Sequence, residues 1–278
     1  MSNPAALPAL PAAHTRFLAD AIPRLASDPR IVGVAAGGSY VTATVDDFSD
    51  IDLVVAVEDG GHDDVMRERQ TIAAGLGPLL ASFTGEHVGE PRLLICLYGA
   101  DPASLLHVDL KFVRLRDVGT RVEDPLVLWA RDERFGKELR VGTARYPAPD
   151  LQAIEDRFWV LVHYVATKVG RGELLEAVAA LDFLRQLALG PLALLSRGVR
   201  PTGVRKLEQG APDLAAEIAR TVTPCEAAAC FTALDVAIGL YRRLRDQLAA
   251  PRLCRHAAAE AMSCAYVQTL AARRSGAG

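Results

Sequence analysis

The sequence lacks a long uninterrupted apolar run, and its apolar stretches fall short of the roughly 18 residues that a membrane-spanning helix needs. The stretch Phe158–Ala166, for example, contains His163 and Tyr164. The first residues also lack a positively charged segment, and prolines interrupt their apolar run. We therefore expect no transmembrane helix, no secretory signal peptide and no membrane partner.

Cysteine is scarce, and the basic residues are not concentrated. The chain of 278 residues has five cysteines, an odd number at irregular spacing, which does not suggest a disulfide framework. Cys225, Cys230, Cys254 and His256 match none of the usual zinc-binding spacings. We expect reduced thiols and a cytoplasmic location. Because there is no basic stripe interleaved with aromatic residues, long nucleic acid is not an expected partner.

The sequence does have enough apolar material for folded cores. Hydrophobic residues make up 50% and charged residues 23%, as in ordinary globular proteins. The net charge is −3, with a negative balance before residue 150 and a positive balance after it. An acidic half suits cations and a basic half suits phosphates, although scattered surface charge gives the same balance. The length allows one large or two medium-sized domains.

Residues 1–148 mix short strands with helices. Apolar periodicity predicts helices at residues 12–27 and 62–80. Apolar, β-branched runs predict strands at residues 30–36, 50–57, 92–98 and 106–113. Residues 114–150 are charged, rich in proline and glycine and without a strong period, so we expect a linker or a partly structured crossing there.

Residues 149–278 have a helical pattern throughout. Apolar residues at three- and four-residue steps predict helices at 151–169, 172–189, 211–221, 225–248 and 252–273. Prolines 191, 201, 224 and 251 stand at the predicted breaks. The predicted fold class is therefore α+β: an N-terminal mixed-sheet domain, residues 1–148, followed by a C-terminal α-helical bundle domain, residues 149–278.

Three features of the first domain point to one chemistry. Gly37-Gly38-Ser39 follows an apolar strand directly, and glycines allow a ligand to approach the backbone closely. Ten residues after Ser39, Asp50 and Asp52 begin the next strand, where residues two apart share a face. Asp109 is an acidic residue inside an otherwise apolar strand.

Two carboxylates this close repel each other unless a cation lies between them. Ligands that are all oxygen suit Mg²⁺ or Mn²⁺. With Asp109 as a third ligand, the set predicts two ions roughly 3.5–4 Å apart, which clamp the attacking and leaving oxygens of a phosphoryl-type transfer. The turn would present N–H groups and the Ser39 hydroxyl to phosphate. The alternative is that these carboxylates cap strands or face water.

These residues carry a family resemblance. Gly38-Ser39, ten further residues, then Asp50-Ile51-Asp52 and Leu53-Val54-Val55 resemble the signature of the polymerase-β-type nucleotidyltransferase superfamily. His107-Val108-Asp109-Leu110 resembles its third acidic strand, so the match covers about residues 30–113. A looser match, fading after about residue 190, is to the helical domain of aminoglycoside nucleotidyltransferases of the streptomycin-adenylylating type. It rests on Phe158-Trp159, His163-Tyr164, Lys168 and Arg171-Gly172-Glu173.

The resemblance implies a bacterial, Mg²⁺-dependent nucleotidyltransferase that moves a nucleoside monophosphate, AMP from ATP, onto a hydroxyl of a small-molecule acceptor and releases pyrophosphate. It implies that Gly38 and Ser39 hold the triphosphate and that Asp50 and Asp52 hold two Mg²⁺ ions, replaceable by Mn²⁺. Asp109 would complete the catalytic metal site and help to deprotonate the acceptor. An aminoglycoside-like acceptor, and hence antibiotic resistance, is a further hypothesis.

In the second domain, Lys168 and Arg171 lie three residues apart and share a helix face. The resemblance implies that they bind phosphate; the alternative is an exposed helix end, where cations suit the helix dipole. Glu173 is a candidate base or acceptor contact, or a surface residue. Lys111, on the strand face of Asp109, either balances the carboxylates, contacts a phosphate or forms a simple salt bridge.

Two other functions stay open. The same chemistry on a protein or RNA acceptor is one, although the missing basic stripe disfavours RNA. A non-catalytic nucleotide-binding or regulatory module is the other, although folding alone would not favour adjacent, mutually repelling acids. The sequence specifies neither the acceptor nor the oligomeric state.

Overall fold

The computed structural model describes residues 10–248 and 253–275. The chain divides into two compact units between Tyr146 and Pro147, and each unit is described by itself. Residues 1–9, with their interrupting prolines, lie outside the described residues. So do the helix break predicted at Pro251 and residue 252, where the last predicted helix begins.

The first unit is built on a mixed six-stranded sheet. Its strands occur in the order β3-β4-β5-β2-β1-β6. β2 and β5 run parallel, and the other neighbouring pairs run antiparallel. Their bounds are β1 Ile31–Ala36, β2 Ile51–Val57, β3 Leu79–Gly85, β4 Glu90–Tyr98, β5 Leu106–Arg114 and β6 Leu126–Ala130. The helices described in this unit are α1 Ala12–Ser27, α2 His62–Ala74 and α3 Glu133–Val141.

Strand alternation buries both faces of this sheet over part of its area. On one face, Leu110 and Phe112 of β5 lie in a core with Phe17 and Leu25 of α1. On the other face, Val32, Ala35, Ala56 and Val113 pack with Phe135 of α3. A Cβ built on Gly33 would overlap the Phe135 ring, so glycine at this point of β1 allows α3 to approach closely. The α+β class predicted from the sequence is confirmed.

Two predictions for the first unit are wrong in part. The helix predicted at 62–80 ends at Ala74, because glycines at 75 and 77 and proline at 78 stop it, and residues 79–85 form an edge strand instead. Of the two alternatives for residues 114–150, the linker is wrong and a partly structured segment is observed, since these residues contain β6 and α3. β6 pairs with β1, which is distant in sequence, and local periodicity does not reveal such a partner.

The second unit is helical, as predicted. Its described helices are α4 Leu151–Arg171, α5 Leu174–Leu184, α6 Gly190–Ser196, α7 Leu207–Gly210, α8 Pro212–Ala219, α9 Ala227–Leu248 and α10 Ala257–Ser275. Phe158 and Trp159 of α4 pack with Tyr241 of α9 in the middle of one apolar core. The stacked Phe158 and Tyr241 rings have centroids 3.7 Å apart.

The helix break predicted at Pro191 does not occur, because the described residues 174–196 are helical throughout. A π-helical turn at Arg185–Leu189 joins α5 to α6, and Pro191, the second residue of α6, follows that turn without ending the helix. The resulting run, Leu174–Ser196, is long and apolar enough to cross a membrane by length and composition, contrary to our expectation from the sequence. However, 61% of the most apolar 18-residue stretch of this run is buried inside the protein, and buried core helices can have the same length and composition.

All five cysteines belong to the described residues and are free thiols. Cys96 and Cys230 are buried, and Cys225 and Cys254 are exposed. Burial raises the pKa of Cys96 to about 11, which keeps this thiol protonated and unreactive at neutral pH.

Candidate active site

The turn after β1 lies directly against the start of β2. The Gly37 N–H donates to the Asp52 carbonyl at 2.9 Å. Gly38 has a φ of +58°, in the left-handed region that favours glycine. A Cβ built on Gly38 would overlap Oδ2 of Asp52, so the missing side chain leaves room for that carboxylate. The turn and Asp52 thus form one surface.

Ser39 contributes a buried hydroxyl to this turn. Its residue is only 9% exposed, and its Oγ has no hydrogen-bond partner among the described residues. Leaving such a group unpaired costs about 1–3 kcal/mol, and buried side chains in this state are rare. A ligand oxygen that reached Ser39 would remove this cost.

The predicted carboxylates lie on or directly before two neighbouring central strands of the sheet. Asp52 and Asp109 are register partners across the parallel strands β2 and β5, so their side chains share one face. Asp50 immediately precedes β2, two residues before Asp52. All three residues are partly exposed. The structure therefore places Asp52 and Asp109 side by side, with Asp50 two residues before Asp52 and the glycine turn against Asp52.

A buried pair supports the turn. The Tyr40 hydroxyl lies 2.8 Å from Nδ1 of His14 on α1, and the two residues are 2% and 1% exposed. Burial raises the pKa of Tyr40, and the negative charges of Asp52 and Asp50 raise it further. Burial also lowers the pKa of His14. Both side chains are therefore neutral at pH 7. No local sequence pattern distinguishes His14, because α1 shows only an ordinary apolar period.

The neighbours of Asp109 on β5 are both engaged in polar contacts. Nε2 of His107 lies 2.9 Å from Oδ1 of Asp109. Nζ of Lys111 lies 2.8 Å from Oε2 of Glu90, which also accepts hydrogen bonds from Arg92. Arg92 and Lys111 together lower the pKa of Glu90 to about 2. Of the alternatives for Lys111, the geometry favours the simple salt bridge.

Glu123 joins the site and was missed by the sequence analysis. Its Oε1 accepts a hydrogen bond from the Gly38 N–H at 2.6 Å. It lies just before β6, whose first residue, Leu126, pairs with Ala36 at the end of β1. The apolar run of β6 is a signal for a strand, but its pairing with β1 is a long-range contact. Without that contact, nothing places Glu123 over the glycine turn.

The donor chemistry of this site fits a hard divalent cation, because its groups are carboxylate oxygens. Within residues 10–248 and 253–275, no group of three or more His, Cys, Asp or Glu side chains is arranged to hold a metal ion. Mg²⁺ is usually held by one or two carboxylates, with substrate phosphates and water supplying the other ligands. Asp52 and Asp109 fit the protein's share of such a site.

The remaining predicted residues lie together in the second unit. Nζ of Lys168 is 2.5 Å from Oε2 of Glu173, and Nη1 of Arg171 is 3.6 Å from Oε1 of Glu173. The Lys168 ammonium also lies over the Tyr164 ring, 5.1 Å from its centroid. The ion pair with Lys168 lowers the pKa of Glu173, so this carboxylate is ionised at neutral pH. The three residues form one ion-paired cluster at the end of α4.

No protein-family model and no curated protein matches this sequence. The solved structures that are similar over most of the chain include the following two. An aminoglycoside 6-adenyltransferase from Bacillus subtilis is 16% identical to this chain, with a TM-score of 0.39. The match covers 91% of this chain and 97% of the Bacillus subtilis chain. A nucleotidyltransferase-like protein from Exiguobacterium sibiricum is 15% identical, covers 84% of this chain and 78% of its own, and has a TM-score of 0.36. Similarity at this level does not show a shared activity.

Proposed function

We propose that this protein is a nucleotidyltransferase that moves a nucleoside monophosphate from a Mg²⁺-bound nucleoside triphosphate onto an acceptor hydroxyl. The observation that carries the proposal is the placement of Asp52 and Asp109 side by side on parallel strands, against a glycine turn. The buried hydroxyl of Ser39 in that turn is a second polar group suited to a phosphate oxygen.

The reaction assigns a task to each group. The acceptor oxygen attacks the α-phosphorus, the bond from that phosphorus to the bridging oxygen breaks, and pyrophosphate leaves. Asp109 is our candidate to take the acceptor proton. Asp52 and Asp109 would hold the cation, with Asp50 as a further candidate ligand, and the Gly38 N–H and the Ser39 hydroxyl would bind phosphate oxygens. When bound, Mg²⁺ neutralises phosphate charge and aligns the triphosphate.

The shared face of Asp52 and Asp109 also bears on the non-catalytic alternative. A module that only folds or senses has no need of two carboxylates in register, because their repulsion costs stability. A metal-dependent transfer needs both. The geometry therefore supports a catalytic role more strongly than a regulatory one.

The finer parts of the proposal rest on the sequence resemblance. They are adenylyl transfer from ATP, a small acceptor such as an aminoglycoside-like antibiotic, and a cytoplasmic enzyme. Lys168 and Arg171 are proposed as phosphate contacts, and Glu173 as a base or acceptor contact. Each of these three would have to leave the ion pairs it forms in this structure.

Nucleotide binding is the first test. Thermal unfolding is measured with ATP, GTP, CTP and UTP, with and without Mg²⁺. A ligand at about 100 times its dissociation constant stabilises the folded state by roughly 2.7 kcal/mol. We expect a Mg²⁺-dependent shift with at least one nucleotide, and its loss when Asp50 and Asp52 are both replaced by asparagine. The nucleotide that gives the shift is then used to screen acceptors by pyrophosphate release, with protein acceptors checked by mass spectrometry.

Asp52→Asn tests the chemistry. Asparagine keeps the shape, removes the charge and relieves repulsion, so the fold should be retained. We expect pyrophosphate release to fall by at least about a hundredfold, as when a group that stabilises transition-state charge is removed. Asp64→Asn is the matched control, because Asp64 lies on the surface of α2 and pairs with exposed Arg67. Transfer at the wild-type rate by Asp52→Asn would reject the proposed site.

A further inference from the structure

A carboxylate of the protein itself occupies the glycine turn. The 2.6 Å hydrogen bond from the Gly38 N–H to Oε1 of Glu123 is charge-assisted, and such bonds are shorter and stronger than neutral ones. A Cβ built on Gly37 would lie 3.0 Å from the same oxygen and 3.6 Å from Cβ of Asp52. Glu123 and Asp52 therefore both lie against the Gly37–Gly38 backbone.

The backbone on either side of Glu123 is anchored, but the carboxylate is on a long side chain. On one side, Arg121 donates to the Gly142 carbonyl at 2.8 Å, and its own carbonyl accepts from the Arg145 N–H at 2.9 Å. On the other side, Leu126 begins β6 in register with β1. Because glutamate has several rotatable side-chain bonds, the carboxylate can leave the turn while both anchors stay in place.

The carboxylate satisfies only part of the turn. It takes the Gly38 N–H, whereas the buried Ser39 Oγ has no hydrogen-bond partner in the described part of the chain. A phosphate group carries more oxygens than a carboxylate and can serve both donors. One N–H cannot serve two anions at full strength, so such a ligand and Glu123 exclude each other from Gly38.

We propose that Glu123 is an internal competitor for the phosphate position of the Gly38–Ser39 turn, and that it selects for triphosphates that arrive with a divalent cation. This inference rests on the proposed function. A metal-free polyphosphate carries more negative charge than its Mg²⁺ complex, so the displaced Glu123 carboxylate, which stays near the turn, repels it more strongly, and Asp52 repels it as well. A Mg²⁺-bound triphosphate displaces Glu123 and gains the attraction between its cation and Asp52.

The test measures binding of three probes by calorimetry: ATP with Mg²⁺, ATP with chelator, and inorganic tripolyphosphate. Glu123→Gln keeps the length of the side chain and removes its charge. We expect it to bind Mg²⁺-ATP about tenfold more tightly than wild type, the change that loss of one competing charge-assisted hydrogen bond gives. We expect the gain to be larger for the two metal-free probes. Glu133→Gln, an exposed acid of the same unit, should stay within about twofold of wild type for each probe.

The outcomes separate the two proposals. If wild type binds Mg²⁺-ATP and Glu123→Gln binds it equally or more weakly, Glu123 is not a competitor, and the nucleotidyltransferase proposal is unaffected. If neither wild type nor Glu123→Gln binds a nucleotide, the proposed function fails first. If every probe, with and without metal, gains equally in Glu123→Gln, the competition stands and the selection for metal is overturned.

A second measurement reads the contact directly and does not depend on affinity. In protein labelled with ¹⁵N-glycine, Glu123→Gln should move the Gly38 amide resonance away from the low-field position of a carboxylate-bound N–H. Addition of saturating Mg²⁺-ATP to wild type should move the same resonance. A Gly38 signal that is identical in wild type and Glu123→Gln, in variants that unfold at similar temperatures, would show that the carboxylate does not occupy the turn.

Discussion

Gly38 meets two requirements that can be separated by substitution. It adopts a positive φ, and it leaves space for the Asp52 carboxylate. Gly89 has only the first requirement, since its φ is +72° and no described atom lies within 4 Å of a Cβ built there. Comparing the same substitution at Gly38 and at Gly89 therefore isolates the free-energy cost of pushing Asp52 away from the turn.

We predict that Gly38→Ala is more destabilising than Gly89→Ala, as measured by urea unfolding. Alanine at a positive φ costs about 1 kcal/mol or somewhat more at either position. At Gly38 the overlap with Asp52 adds about 1–3 kcal/mol, as overpacking does elsewhere. Equal losses at the two positions would mean that the turn and Asp52 are not in contact.

Four candidate residues could be predicted from the sequence because their spacing follows the local geometry of strands and turns. They are Gly38, Asp50, Asp52 and Asp109. A glycine turn ends one strand, a pair two residues apart shares a face of the next strand, and an acid interrupts a third. Glu123 has no such local signature. Its place depends on the pairing of β6 with β1, which is decided by the whole sheet.

At the scale of elements, a buried polar contact links α1 to the candidate site. His14 of α1 and Tyr40 of the turn are hydrogen-bonded to each other. Burial lowers the pKa of His14 below its ordinary value of 6.5, so the folded protein holds this imidazole in its neutral form. In the unfolded chain the imidazole takes up a proton near pH 6.5.

We predict that His14 makes the protein sensitive to acid. Between the unfolded pKa and the lower folded pKa, the unfolded state binds more protons, so the free energy of unfolding falls as the pH falls. One such group changes this free energy by at most about 1.4 kcal/mol per pH unit. Urea unfolding at pH 7.5 and pH 5.5 should therefore show a smaller loss in His14→Gln than in wild type. An equal loss would mean that His14 titrates normally in the folded state.

The elements that the sequence predicted well are those with one clear period. α1, β1, β2, β4, β5 and the long helices of the second unit were found within a few residues of their observed bounds. The misses have separate physical causes. The edge strand β3 shows no clean alternation, because several of its residues are exposed on both faces. At Pro191, a π-helical turn lets the helix continue past a residue that normally ends one.

At the scale of the whole molecule, the apolar clusters of the described residues are separate. The sheet unit has its cores on the two faces of the sheet, and the helical unit has its own core around Phe158 and Tyr241. The sequence has two tryptophans, Trp129 in the sheet unit and Trp159 in the helical core. Trp129→Phe therefore makes Trp159 a fluorescence probe of the helical unit.

The polar contact at the centre of that helical core is Glu155, which is fully buried. It accepts hydrogen bonds from Tyr241 at 2.5 Å, the His256 N–H at 3.0 Å and Trp159 at 3.1 Å. Nη1 of Arg245 lies 3.4 Å away. Burial raises the pKa of Glu155, but these hydrogen bonds and the Arg245 charge outweigh it, so its pKa is lowered and the carboxylate stays ionised.

We predict that Glu155→Gln, in the Trp129→Phe background, lowers the free energy of unfolding reported by Trp159 by about 3 kcal/mol, the lower end of the cost of breaking a buried ion pair. The lower end applies because Arg245 retains its ion pair with Glu260, whose Oε2 lies 2.8 Å from Nη1 of Arg245. Glutamine also turns an NH₂ donor toward groups that are themselves donors. Asp156→Asn is the matched control: Asp156 is the exposed neighbour on α4 that pairs with His256, and its loss should cost much less stability than Glu155→Gln, because exposed ion pairs contribute little. If the two variants lose equal stability, burial of the Glu155 charge is not what holds α4, α9 and the start of α10 together.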